Sequence, residues 1–249
     1  MNDIILYSFV SVFIVSLISL VGLFSFSLKV ERLRIILIYM ISFSAGALFG
    51  DVFIHLLPDL AEKDALGTLS ALLILLGILI FFILEKILHW QHCHMPITKT
   101  HVHSFAYMNL IGDALHNFID GLIIAASYIA SIPVGIATTI AVVLHEIPQE
   151  IGDFGVLLHG GFSRGNALLV NFISALTAIF GVAIGLWLGE FIPNIELIFI
   201  PIAAGGFIYI AGSDLIPELH KETEISKSLI QVISFILGIC IMLSLLLLG

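Results

Sequence analysis

Eight stretches of this chain are each long and apolar enough to cross a bilayer, and nothing else in the sequence narrows the possible folds as far. They cover about residues 4–28, 35–58, 67–88, 105–130, 134–158, 165–189, 195–218 and 228–248. A membrane span needs roughly 20 apolar residues. Inside hydrocarbon the backbone must satisfy its own hydrogen bonds, which leaves helices or a closed barrel. Barrel strands alternate apolar and polar positions over about ten residues, whereas these runs are apolar on all sides. The expected fold is an all-α membrane protein of eight transmembrane helices, with membrane lipid as a partner. The connections are short, so residues 1–249 read as one domain. With 60% hydrophobic and only 11% charged residues, against about 25% charged in soluble domains, a soluble domain is excluded. Two Cys and nine Lys+Arg likewise exclude a disulfide scaffold and a nucleic-acid binder.

The basic residues orient the bundle. Lys29, Arg32 and Arg34 fall between spans 1 and 2, Lys86 and Lys99 between 3 and 4, Arg164 between 5 and 6, and Lys221 and Lys227 between 7 and 8. All lie on one side, which the positive-inside rule assigns to the cytoplasm. Only Lys63 lies opposite. Both termini are then expected outside or in a lumen, which requires an even number of spans. The first span lacks a basic leading region and is too long for a signal peptide, so it reads as retained.

Polar groups inside the spans are acids and histidines, with no Lys or Arg at midspan. Span 2 carries Asp51 and His55. Span 4 carries Asp113, His116, Asn117 and Asp120. Span 5 carries His145, Glu146, Gln149, Glu150 and Asp153, and span 7 carries Asp214 and Glu218. Pairs four apart share a helix face: Asp51/His55, His116/Asp120, His145/Gln149, Glu146/Glu150 and Asp214/Glu218. Four helices each turn a polar stripe inward. Carboxylates without cationic partners must be protonated, hydrated or bound to a cation. Imidazole with carboxylate suits zinc and its neighbours, including Fe2+, Mn2+ and Cd2+. A proton relay can use the same residues. His159 reads as an interhelical contact, and Glu85, Glu190 and Glu196 as interfacial.

Two internal likenesses shape the expected site. In span 2, Gly46 precedes His55 by nine residues, and in span 7 Gly205 precedes Asp214 by nine, each followed by a Pro (Pro58, Pro217). The two spans run in opposite directions, so an inverted repeat of spans 1–3 and 6–8 around spans 4 and 5 is expected. Span 4 also resembles span 5: His116-Asn117-x-x-Asp120 against His145-Glu146-x-Pro148-Gln149-Glu150. Pro148 removes a backbone donor, so a kink and a freed carbonyl are expected at the site, with the same prospect at Pro58 and Pro217.

HNFIDG (His116–Gly121) and HEIPQEIGDF (His145–Phe154) resemble the signature motifs of the ZIP family of divalent-metal transporters. GDVFIHLLPD in span 2 and Asp-x-x-Pro in span 7 extend the match to nearly the whole chain. The resemblance implies import of zinc, or Fe2+, Mn2+ or Cd2+, into the cytosol. It implies a two-metal site, with one ion on His55, His116, His145 and Gln149. The other would use Asn117, Asp120, Glu146 and Asp214, and Asp120 or Gln149 would bridge. Asp51, Asp113, Glu150, Asp153 and Glu218 are expected as secondary or pathway groups. Many members carry Glu or His where Gln149 stands; a neutral Gln lowers the charge of the site. No covalent chemistry and no resident cofactor are expected. The plasma membrane is the expected location, an organelle membrane the alternative, and a homodimer remains open.

The loop over 89–104 holds His92, His94, His101 and His103 beside Cys93. Such tracts bind borderline metals, which suggests capture of exiting ions or feedback; a merely polar loop is the plain reading. His145-Glu146-x-x-Gln149 departs from the H-E-x-x-H metalloprotease motif in its second His and in its Pro. A proton-coupled organic-solute carrier would need basic or aromatic contacts, and the spans contain no basic one. The expected mechanism is alternating access about a fixed site, as a slide or a rocking motion of the bundle of spans 2, 4, 5 and 7.

Overall fold

In the computed structural model, residues 2–22, 30–89 and 104–248 are described. The side chains of His159 and Asp214 and the loop histidines His92, His94, His101 and His103 lie outside that set. Among the described residues, eight helices have the length and hydropathy to cross a membrane: spans 1 (Asn2–Val21), 2 (Ile38–Glu62), 3 (Thr68–Lys86), 4 (Asn109–Ala130), 5 (Ile132–Leu158), 6 (Arg164–Phe191), 7 (Glu196–Leu219) and 8 (Ile225–Leu245). No strand occurs among the described residues.

Local chemistry sets the boundaries. Ser131 is the single extended residue between spans 4 and 5; its hydroxyl accepts the Val134 N–H, and Pro133 sits in the first turn, where no N–H is needed. Ser163 caps span 6 in the same way through Asn166. Asp64 and Asn194 adopt left-handed backbone (φ 52° and 55°) in the turns after spans 2 and 6, a conformation Asn and Asp tolerate best among residues with a Cβ.

Span 4 packs along span 6, span 2 along span 8, and span 7 along span 3. The glycines foreseen as markers of a repeat explain two of these crossings. A Cβ on Gly46 would lie 2.0 Å from the Phe235 carbonyl oxygen of span 8, and one on Gly205 would lie 2.0 Å from that of Ile74 in span 3. Only hydrogen fits there, and small residues at helix crossings are how membrane helices approach closely.

Burial separates the spans. In spans 2, 4 and 5, 61%, 56% and 56% of the most apolar stretch is buried, against 17% in spans 3 and 8. Leu69, Leu72, Leu75, Leu229, Val232 and Ile236 therefore face outward, as lipid contact requires. The polar stripes fall on the enclosed spans.

The prolines behave differently from the sequence expectation. Spans 2 and 7 each contain a π-helical turn, Asp51–Leu56 and Ile210–Leu215, placed directly before Leu57-Pro58 and Ile216-Pro217. The wider turn leaves each Pro in the first turn of the next α-helical stretch, where its missing N–H costs nothing. Pro148 instead lies inside one continuous α-helix, Ile132–His159. The carbonyl it frees, that of Leu144, accepts a hydrogen bond from the Ser44 hydroxyl of span 2 at 2.5 Å. The orphaned group is satisfied by a neighbouring helix rather than by an open cavity.

Candidate metal centre

Spans 4 and 5 are unbroken α-helices through their motifs, so residues four apart stack on one face. Facing each other, they bring one ligand atom from each of His116, Asp120, His145 and Glu146 within 4.8 Å of one another. His145 Nε2 lies 3.2 Å from Asp120 Oδ2 and 3.5 Å from Glu146 Oε1. His116 Nε2 lies 3.6 Å from that Asp120 oxygen and 3.5 Å from the same Glu146 oxygen. The two ring nitrogens are 3.3 Å apart. His116 is half-buried and the other three residues are buried.

The orientation of His145 is fixed from behind. Its Nδ1–H donates to the Ala141 carbonyl at 3.1 Å, which leaves the Nε2 lone pair for the cluster. Phe207 of span 7 packs edge-on against His145 at 5.8 Å, and Phe81 of span 3 against His116 at 5.6 Å. Neither oxygen of Asp120 nor of Glu146 receives a hydrogen bond. Two carboxylates and two imidazoles sit in an apolar wall, with ring nitrogens and carboxylate oxygens pointing at one another. Such a set is stabilised by a cation placed between them.

The remaining sequence candidates are placed as follows. Asn117 is buried beside the cluster; its amide N–H donates to Asp113 Oδ1 at 2.9 Å and to the Asp113 carbonyl at 3.1 Å. Gln149 lines a cavity of about 460 Å³ together with His116, Asp113, Asp153, Asn109 and the exposed Glu218. Asp113 and Glu150 join Glu146 in a second close group. Asp153 Oδ1 accepts from the Asn109 amide at 2.9 Å. Asp51 is fully buried and accepts from the Thr138 hydroxyl of span 5 at 3.1 Å. His55 belongs to neither group; its Nε2–H donates to the Met242 carbonyl of span 8 at 2.9 Å.

Several residues that shape the site are absent from the polar stripes. Asn171 of span 6 is fully buried and donates to Glu150. Its signal was an amide in an apolar run. Ser44 and the walls Phe81 and Phe207 carry no signal in their own sequence context; their roles depend on what stands opposite.

Comparison with known proteins now decides the family. A family model described as ZIP zinc transporter matches residues 3–106 and 91–246. The chain belongs to the ZIP family. Zinc transporter YKE4 of Saccharomyces cerevisiae is 31% identical over 249 residues, covering 86% of this chain and 72% of the yeast protein. Zinc transporter ZIP13 of Pongo abelii is 34% identical over 221 residues, covering 82% of this chain and 65% of that protein. Zinc transporter ZIP10 of Mus musculus is 37% identical over 161 residues, which are 61% of this chain and 19% of ZIP10. This ZIP chain thus matches under two thirds of ZIP13 and a small part of ZIP10. It is an integral membrane protein, and its HNFIDG motif also serves packing: a Cβ on Gly121 would lie 2.0 Å from the Ala178 carbonyl of span 6.

Proposed function

We propose that this chain transports divalent metal, zinc foremost, into the cytosol, with His116, Asp120, His145 and Glu146 as its central site. The observation that carries this reading is the convergence of four ligand atoms within 4.8 Å, with the oxygens of Asp120 and Glu146 left without hydrogen-bond donors. The names of the relatives, all zinc transporters, point to the same cargo. The ion is substrate, and no reaction is performed on it.

Asn117, Gln149 and Asp214 complete the coordination at different stages of the cycle, and His55 supports the site from span 2 through its bond to span 8. Gln149, Asp153 and Glu218 border the route from His116 toward the basic end of the bundle, and Asp51 anchors span 2 to span 5. The loop of 89–104 gathers exiting ions through His92, His94, His101 and His103. The chain works as one transporter domain with both termini outside, in the plasma membrane or an organelle membrane, and a homodimer is compatible with its lipid-facing spans.

Alternating access is the mechanism. Spans 4 and 5 pack on each other and on spans 1 and 6, whereas span 2 pairs with span 8 and span 3 with span 7. Span 2 also packs on span 5, and span 7 on span 4, so one group, carrying the ion, slides or rocks against the other along these two seams. The glycine crossings favour each pair moving as a unit. The matching π turns of spans 2 and 7 support the inverted repeat.

The test is uptake of radioactive zinc by liposomes holding the purified protein, with Fe2+, Mn2+ and Cd2+ as competitors. Saturable uptake that Cd2+ inhibits and that the His116→Ala, His145→Ala double substitution removes is the expected result. Uptake that survives the double substitution in folded protein would refute the site.

A further inference from the structure

We propose that Asp113, Glu146 and Glu150 form a second divalent-cation site, built from oxygen alone, one helical turn from the histidine cluster toward the basic end of the bundle. It rests on the reading of that cluster as the central cargo site, and Glu146 is shared between the two.

One oxygen from each of the three carboxylates lies within 4.8 Å of the others. All three residues are almost fully enclosed, at 5%, 1% and 1% exposure. The acids are not simply crowded together. Asp113 has one oxygen held by the Asn117 amide at 2.9 Å, while Oδ2 receives nothing. Glu150 has Oε2 held by the Asn171 amide, while Oε1 receives nothing. Each acid is thus oriented by an amide on one oxygen and left free on the other, as in metal sites whose ligands are aligned by outer hydrogen bonds. The fully buried amide oxygen of Asn171 also lacks a donor and comes from span 6. No lysine or arginine pairs with any of these acids among the described residues. Adjacent carboxylates cannot remain ionised in an apolar interior without a positive partner.

The position of the group also has meaning. Asp113 precedes His116 on span 4, and Glu150 follows Glu146 on span 5, which runs the other way. Both steps lead toward the same end, the one that carries Arg164. Asp113 lines the cavity that extends from His116 to the exposed Glu218. Imidazole-rich coordination favours zinc, whereas oxygen-only sets favour Mn2+, Ca2+ and Mg2+ and hold zinc less tightly. An ion passing from the first group to the second would move from a stronger to a weaker zinc site, and release requires such weak, multiple binding.

The experiment uses the full chain in lipid nanodiscs, with two spectroscopic probes. Co2+ reports the histidine cluster through its visible absorption, and Mn2+ reports an oxygen-only site through its paramagnetic resonance. In the His116→Ala, His145→Ala double variant, Mn2+ should still bind without nitrogen coupling while the Co2+ band is lost. Glu150→Gln should weaken Mn2+ binding by at least about 100-fold, more than the loss of an outer hydrogen-bond partner, and keep the Co2+ band; Asp113→Asn serves if that variant does not fold. Mn2+ binding unchanged by both acid substitutions, or Mn2+ binding abolished by the histidine substitutions, overturns the second site. Loss of the Co2+ band in the unsubstituted protein alone would instead count against the histidine cluster.

Discussion

Spans 2 and 5 both carry polar residues at four-residue spacing, yet the two stripes do different things. In span 5 the helix is regular α, and His145 and Glu146 meet His116 and Asp120 across a narrow gap. In span 2 the pair Asp51 and His55 lies in a π turn, apart from both ligand groups: Thr138 of span 5 holds one Asp51 oxygen while Oδ1 receives nothing, and His55 is turned to the Met242 carbonyl of span 8. Equal spacing on one helix therefore does not make equal sites. The facing helix decides whether a buried polar group is left open for a ligand or satisfied by a neighbour.

The largest expected effect tests this contrast directly. His145→Ala should lower zinc uptake in liposomes by at least about 100-fold, more than the loss typical of an outer hydrogen-bond partner. A His55→Ala variant that loses as much would erase the distinction between the spans. Acidification should come next. A ligand must shed its proton to bind metal, so zinc uptake should fall as the medium is acidified. A flat profile across the acid range in folded protein would argue against imidazole ligands.

His55→Ala itself should reduce zinc affinity by less than about tenfold, the lower end for an indirect partner, as read by equilibrium binding in nanodiscs. Ser44→Ala tests the packing between the same two spans. Removing its hydroxyl leaves the Leu144 carbonyl unpaired behind Pro148, at a cost of about 1–3 kcal/mol. Thermal unfolding in detergent should show this as a lowered midpoint. Lys63→Ala breaks only the 2.9 Å surface pair with Asp59 and should change stability by under about 1 kcal/mol. A larger effect would mean that the turn after span 2 is coupled to the site.

Much of the architecture was legible before any coordinates. Hydropathy alone gave eight spans, because a bilayer imposes length and apolarity on every crossing helix. The boundaries moved by several residues; span 2, for example, continues past Pro58 to Glu62, since a π turn lets the Pro start a new helical stretch. His116, Asp120, His145 and Glu146 could be named from the stripe pattern, because α-helical spacing puts them on inward faces. What the pattern did not yield was the grouping. The two ligand sets implied by family resemblance divide these four residues between separate ions, whereas here they form one cluster, and Glu146 also joins Asp113 and Glu150.

The sequence by itself determined that this chain lies in a membrane, that its polar residues form stripes on spans 2, 4, 5 and 7, and that its motifs are those of the ZIP family. The first two are properties of composition and periodicity and the third is a resemblance of motifs, and each segment carries them alone. Only the tertiary structure decided which stripes meet. It turned His55 to a span 8 carbonyl, brought Asn171 from span 6 to Glu150, set Phe81 and Phe207 against the imidazoles, and gave the carbonyl freed by Pro148 to Ser44. Contacts of this kind join residues far apart in the chain, and in an apolar interior each polar atom takes the partner that packing places nearest.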